Sequence, residues 1–507
     1  MNFFLSLLPI ALILFLMVSL RWSAARAGSA GYLTALAIAI LFFGSGTQLL
    51  AYAHAKALLL SLDVLLIIWA AFLLYRVVDE AGAIRTIGLA LPHLTADRGM
   101  QALVIGWVFA SFLQGVGGFG VPVAVIAPLL VGLGFPPLTA VVIPSIGHGW
   151  AVTFGSMGSS FQALLAATGL SDHLLSLPAA LFLGISGVFV GWMVAHAVGG
   201  WKTVQRLFLP VLLLGLVMST IQFTVAQTSL WNIAAFSGSL AGLLVTFPLA
   251  RRYRGDNQNN GKLDGKKLTV ALSGYGILIL LTLVIQMIPV VKDALSHLVI
   301  DVMFPAVQTS LGYVTPAGSG RKIYLLRHAG TILFYVSILA YLIYRRAGLY
   351  TPGALANILK GTMSRVMSSS VSIVSMVTMA VVMEHAGMTH ALAQGLADSM
   401  GKAFPLVAPW IGALGAFMTG SNTNSNVVFG ALQLHTAELL GYLPAIILAG
   451  QTAGAALASV IAPTKVVVGA STAGMAGREG EVMRALIPYT LLLVLLISIL
   501  TGLGVIF

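Results

Sequence analysis

The chain contains no cysteine, and charged residues make up only 8% of it. Without Cys there is no disulfide, no thiolate metal site and no thiol redox chemistry to consider. So few charges exclude an ordinary soluble domain, which carries roughly 25%. Catalytic signatures are missing as well. There is no His-Glu-x-x-His, no pair of carboxylates within one apolar run and no Walker-type Gly-x-x-x-x-Gly-Lys loop. Ser and His occur without any local spacing that suggests a triad. The chain reads as neither an enzyme nor an ATP-driven pump, and it calls for no cofactor and no metal.

What is present is apolar. Of 507 residues, 59% are hydrophobic. No water-soluble core could hide that much apolar surface, whereas lipid is itself an apolar solvent. The 55 glycines suit membrane helices that pack closely or break. A net charge of +12 might suggest nucleic acid, but the basic residues lie between apolar runs rather than on one soluble face. The partner is the lipid bilayer, not nucleic acid.

A span needs about 20 apolar residues. Clear spans are expected at 3–20, 30–51, 57–75, 175–198, 205–224, 230–250, 268–290, 327–344, 366–383 and 486–507. The first has no Lys or Arg before it, and Arg21 and Arg26 follow, the reverse of a signal peptide. The longest polar stretch, 251–267, includes Arg251, Arg252, Arg254, Lys262, Lys266 and Lys267 and divides the chain into halves, 1–250 and 268–507. With that loop in the cytoplasm, most Lys and Arg residues fall inside. Only Lys56, Lys292, Arg321, Lys322, Arg327 and Lys402 fall outside, and Lys465 is left within the membrane zone. Both termini are then outside the cytoplasmic membrane.

Two zones, 100–170 and 404–475, are apolar but interrupted by Gly, Pro, Ser and Asn. Each reads as a re-entrant hairpin, at about 100–134 and 404–440, followed by a broken helix, at about 137–168 and 444–475. The first tip, Gly115-Val116-Gly117-Gly118-Phe119-Gly120 before Val121-Pro122, allows unusual backbone conformations and close approach of a ligand to the main chain. A helix starting there offers free N–H groups that suit a carboxylate. The second tip, Gly420-Ser421-Asn422-Thr423-Asn424-Ser425-Asn426, is costly in hydrocarbon unless it lines a cavity or binds something. The breaks fall at Pro144-Ser145-Ile146-Gly147-His148-Gly149, continuing to Thr153 and Ser156, and at Pro463-Thr464-Lys465. The bland alternatives are glycine-mediated helix packing for the first tip and an aqueous connecting loop for the second.

The halves look related. Ala81-Gly82 precedes Phe112 and Gly115 as Ala386-Gly387 precedes Phe417 and Gly420, at a constant offset. The charge rule gives the two units opposite orientation, so the expected fold is an all-α polytopic membrane protein built of two inverted repeats.

Gly118-Phe119-Gly120-Val121-Pro122, Gly155-Ser156-Met157-Gly158, Thr419 to Asn426 with Phe429-Gly430, and Gly477-Arg478-Glu479 resemble signature segments of the L-lactate permease family. The resemblance runs in order over nearly the whole chain, and Gly-Ser-Asn-Thr-Asn-Ser-Asn is its most specific part. It implies uptake of lactate, glycolate or a related 2-hydroxy acid with protons, by an elevator-like movement of opposed hairpins. A sodium-coupled or other organic-anion carrier of the same fold is the alternative, and an ion channel a more distant one. A homodimer is compatible with this reading. Substrate-binding candidates are Gly117, Gly118, Phe119, Gly120, His148, Thr153, Ser156, Ser421, Asn422, Thr423, Asn424, Asn426, Thr464 and Lys465. Coupling candidates are Asp63, a lone carboxylate in mid-span, with His148 and Lys465. Lys465 needs an anionic partner or water: the substrate carboxylate, Asp63, or the interface reached by snorkelling. Glu80 and Glu384 are expected as interfacial charges, His435 and Glu438 as solvated, and Trp107, Trp150 and Trp410 as interfacial anchors.

Overall fold

A computed structural model describes residues 2–20, 22–118, 120–253, 265–319 and 322–506. Phe119, Arg254, Lys262 and Arg321, and with them most of the 251–267 loop, lie outside the described residues. Among the described residues, twelve helical segments are long and apolar enough to cross a membrane. The protein is accordingly an all-helical, multi-pass membrane protein.

The order of elements in the first half recurs in the second. A long helix, Thr47–Glu80, ends at Gly82, whose φ is positive, and a short helix Ala83–Ala90 follows. In the second half Ala354–His385 ends at Gly387, again with positive φ, and Met388–Met400 follows. Next come two helices joined at a tight tip. In the first half these are the continuous segment Arg98–Val116 and the helix Val121–Gly132. In the second they are Phe404–Thr419 and Asn422–Leu439. An interrupted helix completes each set: Pro137–Gly147 with Ser159–Thr168, and Pro444–Ala458 with Pro463–Thr472. At 1.5 Å per residue, the 12-residue arm Val121–Gly132 is about 18 Å long, too short for a hydrocarbon core of about 30 Å.

The tip arms and the interrupted helices pack backbone to backbone. A methyl on Gly147 would collide with the Gly106 carbonyl, one on Gly412 with the Gln451 carbonyl, and one on Gly454 with the Pro409 carbonyl. Small residues at these crossings bring the two elements together where lipid supplies no hydrophobic drive between helices. The arm Arg98–Val116 carries a π-helical stretch, Ala102–Phe109, at this crossing.

Several expectations need correction. The 30–51 span is interrupted: Ala24–Phe42 ends before Gly44-Ser45-Gly46, and Thr47 opens the next helix. Gly44 has a positive φ, which ends a helix at little cost. The expected 268–290 span stops at Met287, ahead of Pro289. Pro144 does not break its helix; the interruption lies further on, across 148–158. Trp107 and Trp150 are fully buried core residues rather than interfacial anchors, and Trp150 Nε1 donates to Ser111 Oγ at 2.9 Å. His435 is paired rather than simply solvated, with Nε2 2.9 Å from Glu384 and Nδ1 3.2 Å from Glu438. Within the second half, between Pro289–Ala294 and Ala329–Arg346, lies an antiparallel ribbon that the apolar pattern does not announce. Val299–Ile300 pairs with Ile323–Tyr324, Met303–Phe304 with Gly318–Ser319, and Val307–Gln308 with Val314–Thr315. Its tip reaches both halves, through Ser310 N–H to Gly44 O and Thr315 Oγ1 to His385 O.

Candidate functional site

The two tips converge on the start of Pro463–Thr472. A methyl on Gly420 would lie 2.5 Å from Thr464 Oγ1, and one on Gly120 3.8 Å from Lys465 Cγ. Gly118 (φ +58) and Gly120 (φ +81) both take left-handed conformations, and any side chain on Gly118 would collide with Ser156 Oγ. Ser156 and Met157 are themselves non-glycine residues with positive φ, and Gly158 follows with another. Three consecutive left-handed residues, buried and strained, mark this break as a place where packing over-determines the backbone.

At the first tip some main-chain donors are already used within the chain. Val121 N–H is taken by Gly118 O, Ala124 N–H by Gly120 O, and Pro122 has none. The second tip is richer in polar side chains. Ser421, in extended conformation, caps Asn422–Leu439 by accepting from Asn424 N–H at 3.2 Å. The N–H groups of Asn422 and Thr423 have no partner within the helix.

Most side chains of this polar tip fasten it to the interrupted helices. Asn422 Nδ2 donates to Thr153 Oγ1 at 3.0 Å, and Thr153 Oγ1 lies 3.2 Å from Thr452 Oγ1. Thr423 Oγ1 meets Ser160 Oγ at 3.0 Å. Asn426 Nδ2 donates to both Ser160 O and Thr452 Oγ1 at 2.9 Å. The amide oxygens of Asn422 and Asn426 are buried without a donor among the described residues. Asn424 instead points away and donates to Ser372 Oγ on the long helix Ala354–His385 at 3.1 Å.

Beside this network lies a cavity of about 270 Å³. Ser421, Asn424, Thr464 and Lys465 line it, together with Ser369, Ser372 and Thr419. Ser369 and Ser372 carry no motif and reach the cavity because Ala354–His385 packs against Asn422–Leu439, whereas Thr419 opens the polar signature segment and bonds back to Ser421. Lys465 is 8% exposed. Its Nζ donates to Ser459 Oγ at 3.0 Å, and no ion pair forms with it among the described residues.

Other candidates fall elsewhere. His148 is buried, with Nδ1 2.6 Å from Pro144 O and Nε2 unpartnered. Asp63 is not brought to Lys465. It faces a separate cavity and is bonded by His328 and Gln162. Neither partner stands out in the sequence. Lys465 is also not extended to an interface, since its Nζ turns to Ser459.

Among the described residues, twelve apolar segments surround a buried polar centre, the layout of a polytopic membrane protein with an internal polar site, as a transporter has. Over residues 2–507 the chain matches the L-lactate permease family, and it belongs to that family. It is similar to the L-lactate permease of Bacillus subtilis (strain 168), with 28% identity over 540 residues, 98% of this chain and 94% of that one. It is similar also to glycolate permease GlcA of Escherichia coli (strain K12), with 27% identity over 532 residues and the same coverage. Among solved structures, the YdaH transporter of Alcanivorax borkumensis aligns over 90% of this chain and 87% of its own, with 17% identity and a TM-score of 0.48.

Proposed function

We propose that this chain carries a small 2-hydroxy carboxylate, lactate or glycolate, across the cytoplasmic membrane together with a proton. The observation that carries the reading is Lys465. An ammonium at membrane depth costs about 2.5–3.5 kcal/mol and calls for a compensating anion. Among the described residues the ammonium has a neutral hydroxyl as its partner, and the Lys465 side chain lines a cavity whose other polar groups, Ser421, Asn424 and Thr464, suit a carboxylate and a hydroxyl. The family's relatives are named for lactate and glycolate, anions of that size and chemistry.

The two helix pairs are re-entrant hairpins of an inverted repeat in this proposal. Support comes from the recurring element order, the short arm Val121–Gly132 and the convergence of both tips on Thr464 and Lys465. The unit of tips and interrupted helices moves against the long helices Thr47–Glu80 and Ala354–His385 in an elevator-like step. A sodium-coupled variant has one specific observation in its favour, the two donorless amide oxygens of Asn422 and Asn426.

Uptake into proteoliposomes under imposed pH or sodium gradients, with a panel of labelled carboxylates, tests substrate and coupling together. Lys465→Gln is expected to weaken lactate binding at least 30-fold, since removing one member of a buried charge pair costs about 2 kcal/mol or more. Lys465→Arg restores only part, because a planar fork replaces a compact ammonium. Unchanged affinity in Lys465→Gln would remove the substrate role of Lys465.

A further inference from the structure

A second buried polar cluster lies apart from the tip cavity. Asp63, 2% exposed, sits in the middle of Thr47–Glu80. One carboxylate oxygen is 3.0 Å from His328 Nε2, and the other accepts from Gln162 Nε2. His328 caps the helix Ala329–Arg346, its Nδ1 accepting from Gly330 N–H at 3.2 Å. That helix is pressed on the Asp63 helix backbone to backbone, because a methyl on Gly330 would collide with the Leu66 carbonyl. Gln162 belongs to Ser159–Thr168, and two residues before it Ser160 holds Thr423 and Asn426 of the polar tip. One short helix thus touches both the carboxylate and the tip.

The cluster is the floor of a cavity of about 210 Å³. It opens on the ribbon face, which the Lys and Arg distribution assigns to the outside. The charged and titratable groups around it come from several neighbouring elements. Asp172, Lys292, Lys322, Tyr324 and Arg327 line its walls, and Lys322 is engaged by Asp301 at 2.8 Å. Ser159–Thr168 brings no titratable group. Ala354–His385 brings Glu384 and His385 only near Lys56, towards one end of the Asp63 helix, and Arg365 only near Phe72 and Tyr75, towards the other.

We infer that Asp63 and His328 form the proton-loading site of the carrier, and that protonation of Asp63 acts on Gln162 and so on the helix that holds the polar tip. The inference rests on the proton-coupled reading above and adds the site. The Nδ1 lone pair of His328 is occupied by Gly330 N–H, so the neutral ring carries its proton on Nε2 and donates it to Asp63. A second ring proton would have to face a backbone N–H. An added proton therefore goes to the carboxylate. It arrives from water in the ribbon-face cavity and leaves to water on the opposite side when the movement of the Gln162 helix past the stationary Asp63 helix changes the side to which the carboxylate is open, and no other bond forms or breaks. On the oxygen facing Gln162 it replaces an acceptor by a donor, so the amide must turn or let go. An uncharged Asp63 also removes the cost of carrying a carboxylate while its contacts change.

The test uses the full chain in proteoliposomes. Asp63→Asn is expected to exchange labelled lactate within about twofold of the parent while losing accumulation driven by a pH gradient by more than tenfold. Accumulation unchanged in Asp63→Asn overturns the inference, as does loss of exchange by a correctly inserted variant. Where Asp63→Asn does not insert, His328→Asn decides, since Asn keeps a capping oxygen for Gly330 but removes the ring. The pH of half-maximal uptake should then move by about a unit, and an unmoved profile overturns the assignment. A readout independent of substrate separates this site from the transport reading. Infrared difference spectra on acidification should show a protonated-carboxyl band in the parent that Asp63→Asn lacks, and its absence from the parent overturns the site whatever is transported. A parent protein that shows the band but exchanges no 2-hydroxy acid overturns the proposed substrate and keeps the proton site.

Discussion

The two tips meet at the same place with opposite chemistry. The first tip offers main chain without polar side chains, and Gly118 O and Gly120 O take the N–H groups of Val121 and Ala124. Ser421–Asn426 offers side chains in abundance, yet most are spent within the protein. Asn422, Thr423 and Asn426 bind Thr153, Ser160 and Thr452, which leaves Ser421 and Asn424 towards the cavity. A polar motif in a membrane thus divides into a part that fastens and a part that faces the cavity. The glycine tip does neither by itself. It lets Ser156 and Lys465 pack against the main chain, and of these two Lys465 lines the cavity.

The sharpest way to break that comparison is to give the glycine tip a side chain. Gly118→Ala places a methyl on Ser156 Oγ at a positive φ. The left-handed conformation alone costs about 1–2 kcal/mol in a residue with Cβ, before the collision. Lactate uptake should fall by more than tenfold and thermal stability in detergent should drop. Gly132→Ala, with no atom within 4 Å of the added methyl, is the matched control and should leave both unchanged. Equal behaviour of the two variants would mean that the tip is not closely packed.

A smaller effect separates fastening from facing within the polar tip. Asn426→Ala leaves the Ser160 carbonyl and Thr452 hydroxyl without their donor in a buried setting. Such a loss costs about 1–3 kcal/mol, read as a lower melting temperature. Asn424→Ala should scarcely move the melting temperature and should raise KM instead. Reversed phenotypes would exchange the two roles.

The spans, the tips and the interrupted zones are legible because hydrophobic length and glycine or proline punctuation act locally. Gly44-Ser45-Gly46 is equally local, but apolar residues on both sides hide it within an apparent span. The division of labour among Asn422, Asn424 and Asn426 is not legible, since all three sit within two helical turns and only the packing of Ser160, Thr452 and Ser372 tells them apart. Asp63 stands out in the sequence as a lone carboxylate. His328 and Gln162 do not, being 265 and 99 residues away in the chain and joined to it only by tertiary packing. Trp107 and Trp150 mislead because tryptophan's usual membrane role is interfacial, whereas here glycine-lined crossings leave room for the rings. Gly191 and Gly187 abut them.

The smallest expected effect concerns Ser372, where the long helix Ala354–His385 meets the tip. Ser372 Oγ accepts from Asn424 Nδ2 at 3.1 Å and lines the cavity beside it. In Ser372→Ala, water in the cavity replaces a neutral acceptor, so the net loss is about 0.5–1.5 kcal/mol. KM for lactate should rise about fivefold, at the middle of that range. The same bond also joins the tip to a helix past which the tip has to move, so kcat should hold or rise slightly once it is gone. A tenfold fall in kcat would show instead that Ser372 supports the moving step itself. The cavity-facing part of the tip would then share in the fastening now assigned to Asn422, Thr423 and Asn426.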